Sequence, residues 1–281
     1  MERPFIILPH RMNKGVKALP TAHWMIVDKW KQKQQGQVWR VRDQNGRRGF
    51  FKFAYPTQWY DAGPITGNEW LAKQLANLLS VPSAEVELAQ VEDGSETLQG
   101  IVSLPNESAS LLSWNTLPED VQKNPQGTVR NLKRLVCATI AFDVWVTNID
   151  RASGKNIILY RAADGMYDWY LIDHGYALYG CARKWSGRIW SSRHWQQIWR
   201  FYHVPRGWTQ LATRSNLMAM AARIQAIPEE TLKKTVNGVP DPQYTPAIRN
   251  SVIAMLFQRR RRLPALLDDW LNYDGNKEYR L

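Results

Sequence analysis

Asn148-Ile149-Asp150-Arg151-Ala152-Ser153-Gly154-Lys155-Asn156, and then Tyr170-Leu171-Ile172-Asp173-His174-Gly175-Tyr176-Ala177-Leu178-Tyr179, are the stretches whose reading decides the fold. Two short apolar runs lie there, Asn156 to Tyr160 and Trp169 to Asp173, separated by a turn signal at Asp164-Gly165. They predict a β-hairpin whose ends carry Asn156 and Asp173 to one edge. Asp150 sits in the polar loop just before it. An acid, an amide and an acid gathered in this way suit phosphoryl transfer, in which catalysis rests on holding metal ions and aligning a hydroxyl acceptor. Magnesium is hard and takes oxygen ligands, so Asn156 and Asp173 are the expected metal ligands. Asp150 is left to orient or deprotonate the acceptor.

Immediately upstream, Thr128 to Val146 places Leu132, Leu135, Val136, Thr139, Ile140 and Val144 at helical intervals, which predicts a long helix opening a helical lobe. Before Pro105 the pattern is different. Short apolar or alternating segments at Trp24–Val27, Gln37–Val41 and Gly49–Phe53 are separated by breakers, including the tight-turn pair Asn45-Gly46, and read as an antiparallel meander. A helix over Asn68 to Leu79 and two strands, Ala84 to Val91 and Leu98 to Leu104, complete a small lobe. Lys52, on the last strand of the meander, is placed to reach the α- and β-phosphates of a nucleotide, with Glu69 on the following helix as its ion-pair partner. Lys33-Gln34-Gln35-Gly36 is the stretch available to cover the phosphates with backbone amides, ending at Gly36.

These segments resemble the catalytic and metal-binding segments of HipA-like kinases, a family related in fold to protein and phosphoinositide kinases. Phe50-Phe51-Lys52-Phe53-Ala54, the helix from Asn68 and Val81-Pro82 follow in the family's order, so the resemblance spans about Gln37 to Tyr179, half of the chain. It implies a two-lobed α+β fold with a small antiparallel-sheet N-lobe, residues 1–105, and a mainly helical C-lobe, residues 106–281. It also implies ATP and magnesium between the lobes and transfer of the γ-phosphate to a hydroxyl, with a protein serine or threonine as the first expectation and an antitoxin-like regulator as a partner. By the same resemblance Asp150 is the catalytic aspartate, Asn156 and Asp173 the metal ligands and Lys52 the ATP lysine. One departure stands out: protein kinases place the asparagine five residues after the aspartate, a position held here by Lys155, and Asn156 comes one later. A second reading is therefore a pseudokinase, a nucleotide-binding regulatory module without turnover. The histidine that the family's more toxin-like members carry two residues after the catalytic aspartate is Ala152 here, so no role is expected at that position.

The 281 residues are 44% hydrophobic and 22% charged, which predicts a globular chain with a sizeable core. Without a long uncharged apolar run or a signal-like start, the expected location is the cytoplasm and no membrane partner is expected. Cys137 and Cys181 have no paired spacing and read as free thiols. A net charge of +12, the run Arg259 to Arg262 and fourteen tryptophans keep a third reading open, a basic nucleic-acid-binding surface, although such runs are more often solvated helix faces and such aromatics more often core. His174 reads as a packing or loop-bonding residue and Arg151 as an anchor of the catalytic loop. His23, His194 and His203 show no ligand spacing. Beyond the hairpin the pattern is helical over Trp190 to His203, Thr209 to Ala226, a segment from Glu229, and Thr245 to Leu271, which Pro264 should kink or divide.

Overall fold

The computed structural model of the chain describes residues 22–33, 36–106, 110–178, 180, 196–241, 244–275, 277 and 278. Strands β1 (Ala22–Lys33), β2 (Gly36–Asp43), β3 (Arg48–Phe53), β4 (Glu85–Asp93) and β5 (Glu96–Leu104) form a barrel in the order β1-β2-β3-β5-β4. The meander is antiparallel as the alternation predicts, but the sheet closes on itself through a parallel pairing of β1 with β4, Ala22 opposite Ala89 and Trp24 opposite Val91. The first strand is also longer than its apolar run suggests. Its register shifts between Ile26 and Asp28 and again before Lys31, and such bulges bend a strand enough to serve two neighbours. Inside the barrel lie Trp24, Trp39, Val41, Phe51, Phe53, Ala89, Val91 and Val102. Phe51 and Phe53 share the inner face, with ring centroids 5.0 Å apart, so strand alternation turns Lys52 outward.

Between β3 and β4 run a short helix α1 (Trp59–Ala62) and α2 (Ile65–Leu78). A three-residue strand β6 (Leu111–Ser113), too short to leave a sequence pattern, pairs with β7 (Ile157–Arg161), which forms the expected hairpin with β8 (Tyr167–Leu171). Ahead of that hairpin are α3 (Glu119–Lys123), α4 (Pro125–Thr128) and α5 (Leu132–Val146). The predicted helix from Thr128 starts later because Val129 bridges to Tyr167 and Asn131 is left-handed, at φ +52°.

The remaining helices are α6 (Ile198–Phe201), α7 (Trp208–Leu211), α8 (Arg214–Gln225), α9 (Glu229–Asn237) and α10 (Pro246–Asn272). Residues 190–195 of the predicted Trp190–His203 helix lie outside the described residues, and of the remainder the helix covers Ile198–Phe201 and ends before His203. The predicted Thr209–Ala226 helix is instead two, because Thr213 turns extended and caps α8 by accepting from Asn216 N at 3.4 Å. α10, by contrast, runs through Pro264 undivided. Proline removes the donor that would have bonded the Arg260 carbonyl, and Gln225 Nε2 on α8 supplies one at 3.1 Å.

The larger core surrounds α5, of which every residue from Leu135 to Val146 is buried, and it takes in Leu71, Leu75 and Ala76 of α2 and Leu79 at its C-cap. α2 thus precedes the helical lobe in the chain yet contributes its apolar stripe to that lobe's core. No helix among the described residues is long and apolar enough to cross a membrane.

Candidate active site at the lobe junction

Lys52 leaves the outer face of the barrel beneath α2 and is 8% exposed. Its ammonium bonds Glu69 Oε1 and, at 3.1 Å, Asp173 Oδ1 from the opposite lobe. Burial alone would lower the lysine's pKa, but the charges of Asp173 and Glu69 outweigh it and hold Lys52 above its ordinary value, so it stays cationic. The second oxygen of Glu69 accepts from the backbone N of His174 at 3.0 Å. One buried carboxylate therefore fixes both the lysine and the turn that bears Asp173. Asp173 itself is left-handed, at φ +62°, and its side chain is 42% exposed toward the cleft.

On the other side of the junction, Asn156 Nδ2 donates to the Asp150 carbonyl at 2.9 Å and to Asp150 Oδ2 at 3.1 Å. The extra residue is absorbed by two consecutive turns, Gly154 N to Arg151 O at 2.9 Å and Ile157 N to Gly154 O at 3.2 Å. Gly154 is left-handed at φ +72°, and a Cβ there would meet Trp114 Cβ at 3.0 Å, so both conformation and space call for glycine. The asparagine displaced in sequence is thereby brought against the aspartate in space. Both amide protons face Asp150, which leaves the amide oxygen as the donor atom for a cation.

Arg151 holds this loop to the strand ends. Fully buried, it bonds Asp143 Oδ2 at 2.9 Å, the carbonyls of Asn156 at 2.6 Å and Ile172 at 2.7 Å, and His174 Nε2 at 2.7 Å. Arginine can only donate, so His174 accepts at Nε2 and is neutral. Burial first, and then the charge of Arg151, hold its pKa well below the ordinary histidine value. Asp143 on α5 also accepts from Asn148 Nδ2 at 2.9 Å and Tyr202 OH at 3.2 Å. The loop-anchoring expectations for Arg151 and His174 match this geometry. Asp143, Asn148 and Tyr202 escaped sequence reading, although a lone aspartate within the apolar run Ala141-Phe142-Asp143-Val144 was a signal for a buried charge partner.

Gly36 begins β2 beside α2. A Cβ on it would lie 2.6 Å from Ile65 Cδ1, and one on Gly175 would lie 3.4 Å from Ile65 Cγ2, so both glycines flank the first residue of α2. Residues 34 and 35, Cys181 and His194 fall outside the described residues. Cys137 is buried against the C-lobe core, which pushes its thiol pKa up.

The arginine run is not one basic surface. Arg259 is 1% exposed and burial lowers its pKa to about 9. Arg260 is tied to the Ile227 carbonyl and Glu229, leaving Arg261 and Arg262 exposed on α10. Trp39, Trp145, Trp208 and Trp270 are core residues.

A search of curated proteins by sequence finds no match. Among solved structures, the fold is similar to a Helicobacter pylori proinflammatory kinase, CtkA, with a TM-score of 0.61 at 14% identity over 90% of this chain and 98% of that one. The HipA of a Shewanella oneidensis toxin–antitoxin system, solved with HipB and operator DNA, aligns at 14% identity and a TM-score of 0.46 over 89% of this chain and 68% of that one. At the level of sequence, the family model described as HipA-like kinase matches residues 65–245, well over half of the chain, which makes this protein a member of the HipA-like kinase family.

Proposed function

We propose that the lobe junction binds ATP with magnesium and transfers the γ-phosphate to a hydroxyl, with a protein serine or threonine as the acceptor class. The observation that carries this reading is the convergence of Lys52, Glu69 and Asp173 across the cleft, with Asn156 drawn onto Asp150 despite its shifted place in the chain. In this mechanism Lys52 holds the α- and β-phosphates, and Glu69 keeps it there. Asp150 receives the acceptor hydroxyl and takes its proton as the phosphoryl group departs. The oxygen of Asn156 and the exposed carboxylate of Asp173 are hard donors that fit magnesium, which when bound neutralises phosphate charge. Gly36, at the start of β2, leaves room for Ile65 at the start of α2 to pack close against it, on the side from which backbone amides would cover the phosphates. A lobe boundary near Pro105 and a regulator of antitoxin type belong to the same reading, the latter by family membership alone.

The test is magnesium-dependent turnover of γ-labelled ATP, including self-labelling, by wild type, Asp150→Ala and Asp173→Ala. Turnover by wild type that both substitutions abolish supports the kinase. ATP binding without turnover in the wild type favours the pseudokinase, and no ATP binding removes the nucleotide reading.

A further inference from the structure

Helix α2 starts badly by its own sequence. Its N-cap is Pro64, which has no side-chain oxygen and makes no capping bond, so the first helical N–H groups need acceptors from elsewhere. Asp241, 174 positions away, supplies one: its Oδ2 accepts from Gly67 N at 2.9 Å. A carboxylate there also lies at the positive end of the helix dipole. The next residue is held twice over, as Asn68 Nδ2 donates to Gly175 O at 2.8 Å and Tyr244 OH donates to Asn68 Oδ1 at 3.4 Å. Asp241 and Tyr244 are 4% and 1% exposed. Space at Gly67 has been given up to this contact, since a Cβ there would lie 2.5 Å from Tyr244 Cδ2 and 3.1 Å from Asp241 Oδ2.

The far end of α2 is fastened to the same lobe. Arg223 Nη2 on α8 donates to Leu79 O at 2.5 Å, and Arg134 Nη2 on α5 donates to Ser80 O at 3.4 Å. With Leu71, Leu75 and Ala76 in the C-lobe core, the helix is built into the large lobe as well as packed on barrel strands β3, β4 and β5. Glu69 is the residue directly after the two that Asp241 and Tyr244 hold.

We infer that Asp241 and Tyr244 are positioning residues for phosphoryl transfer. By fixing Gly67 and Asn68 they set the place of Glu69, and through it the place of Lys52 relative to Asp173. Neither touches the reacting groups. The inference rests on the kinase reading above, and it makes Asp241 and Tyr244 of the C-lobe determinants of rate.

The experiment measures kcat and KM for ATP, by magnesium-dependent release of labelled phosphate, together with melting temperature. The full chain is compared with Gly67→Ala, Asp241→Ala, Asp241→Asn and Tyr244→Phe. Misplacing Glu69 by a fraction of an ångström is expected to lower kcat about tenfold to a hundredfold in Gly67→Ala and Asp241→Ala, with KM for ATP moving by less than about threefold. Asp241→Asn keeps an acceptor oxygen for Gly67 N and should recover kcat to within about threefold of wild type, which a generally weakened fold would not do. Unchanged kcat in Gly67→Ala and Asp241→Ala would overturn the inference, as would Asp241→Asn failing as badly as Asp241→Ala while both remain folded. Should Asp241→Ala fail to fold, Tyr244→Phe decides, since it removes one hydroxyl: a fall in kcat of about twofold or more supports the clamp and no change overturns it. Absence of turnover in the wild type would remove the kinase reading and this inference with it; full turnover in both wild type and variants would remove this inference alone.

Discussion

Lys52 Nζ lies 3.1 Å from Asp173 Oδ1, joining residues 121 positions apart on opposite sides of the cleft, while its other bond goes to Glu69. The lysine is thus held by two carboxylates of different character: Glu69 is buried at 3% exposure, and the Asp173 side chain is 42% exposed and open to the cleft. A cation binding Asp173 would compete with Lys52 for that oxygen and leave the Glu69 pair in place.

Removing the lysine should therefore cost both turnover and stability. Lys52→Met leaves Glu69 buried without its cation, for which breaking a buried pair typically costs about 3–5 kcal/mol. We expect a clearly lowered urea midpoint and loss of labelled phosphate release. Asp173→Asn, altering the exposed partner, should abolish turnover with a much smaller change in midpoint. Equal midpoints for Lys52→Met and wild type would contradict the burial argument.

The shifted asparagine is tested by Asn156→Ala and Lys155→Ala. Because Asn156, not Lys155, makes the bonds to Asp150, only the first should reduce turnover, by roughly a hundredfold or more, while the Lys155 variant stays near wild type. Turnover that survives in Asn156→Ala would show that the asparagine is not a metal ligand.

Arg151 should be a structural keystone. Arg151→Met strips the Asn156 and Ile172 carbonyls of a donor and leaves Asp143 buried without its cation, so a loss of about 3–5 kcal/mol and a melting temperature lower by on the order of 10 °C are expected. Calorimetry of the variant gives the answer, and a shift of only about 1 °C would refute the role.

His174 predicts an acid sensitivity. Its folded pKa is depressed well below the unfolded value of 6.5, so the unfolded chain takes up the proton first. Its contribution to stability is therefore complete above pH 6.5 and is lost as pH falls below that value toward the folded pKa. His174→Gln, which keeps an acceptor for Arg151, should flatten the decline in urea midpoint between about pH 6.5 and 5. An unaltered slope would show that other groups carry it.

The arginine run offers a contrast within one helix. Arg261→Glu, on the exposed face, should change stability by no more than about 0.5 kcal/mol, whereas Arg259→Glu places an unpaired charge in the core and should prevent stable folding. Denaturant titration compares the two. Comparable stability of both would restore the run as a surface feature.

Much of this molecule was legible in the chain. The hairpin bearing Asn156 and Asp173 follows from two short apolar runs around Asp164-Gly165, and the outward turn of Lys52 follows from the parity of Phe51 and Phe53. The loop anchors Arg151 and His174 could be read from their setting as well. Such features are written locally, because hydrophobic periodicity fixes which side of an element is apolar. Other features needed the folded structure. The parallel closure of β1 onto β4, the undivided helix through Pro264, the burial of Arg259 and the cap that Asp241 gives to α2 all depend on partners distant in sequence. Periodicity states that a face or a backbone group must be covered, and only the packing of the whole chain decides what covers it, since unpaired polar groups and apolar surface accept any partner of the right chemistry that the topology brings within reach.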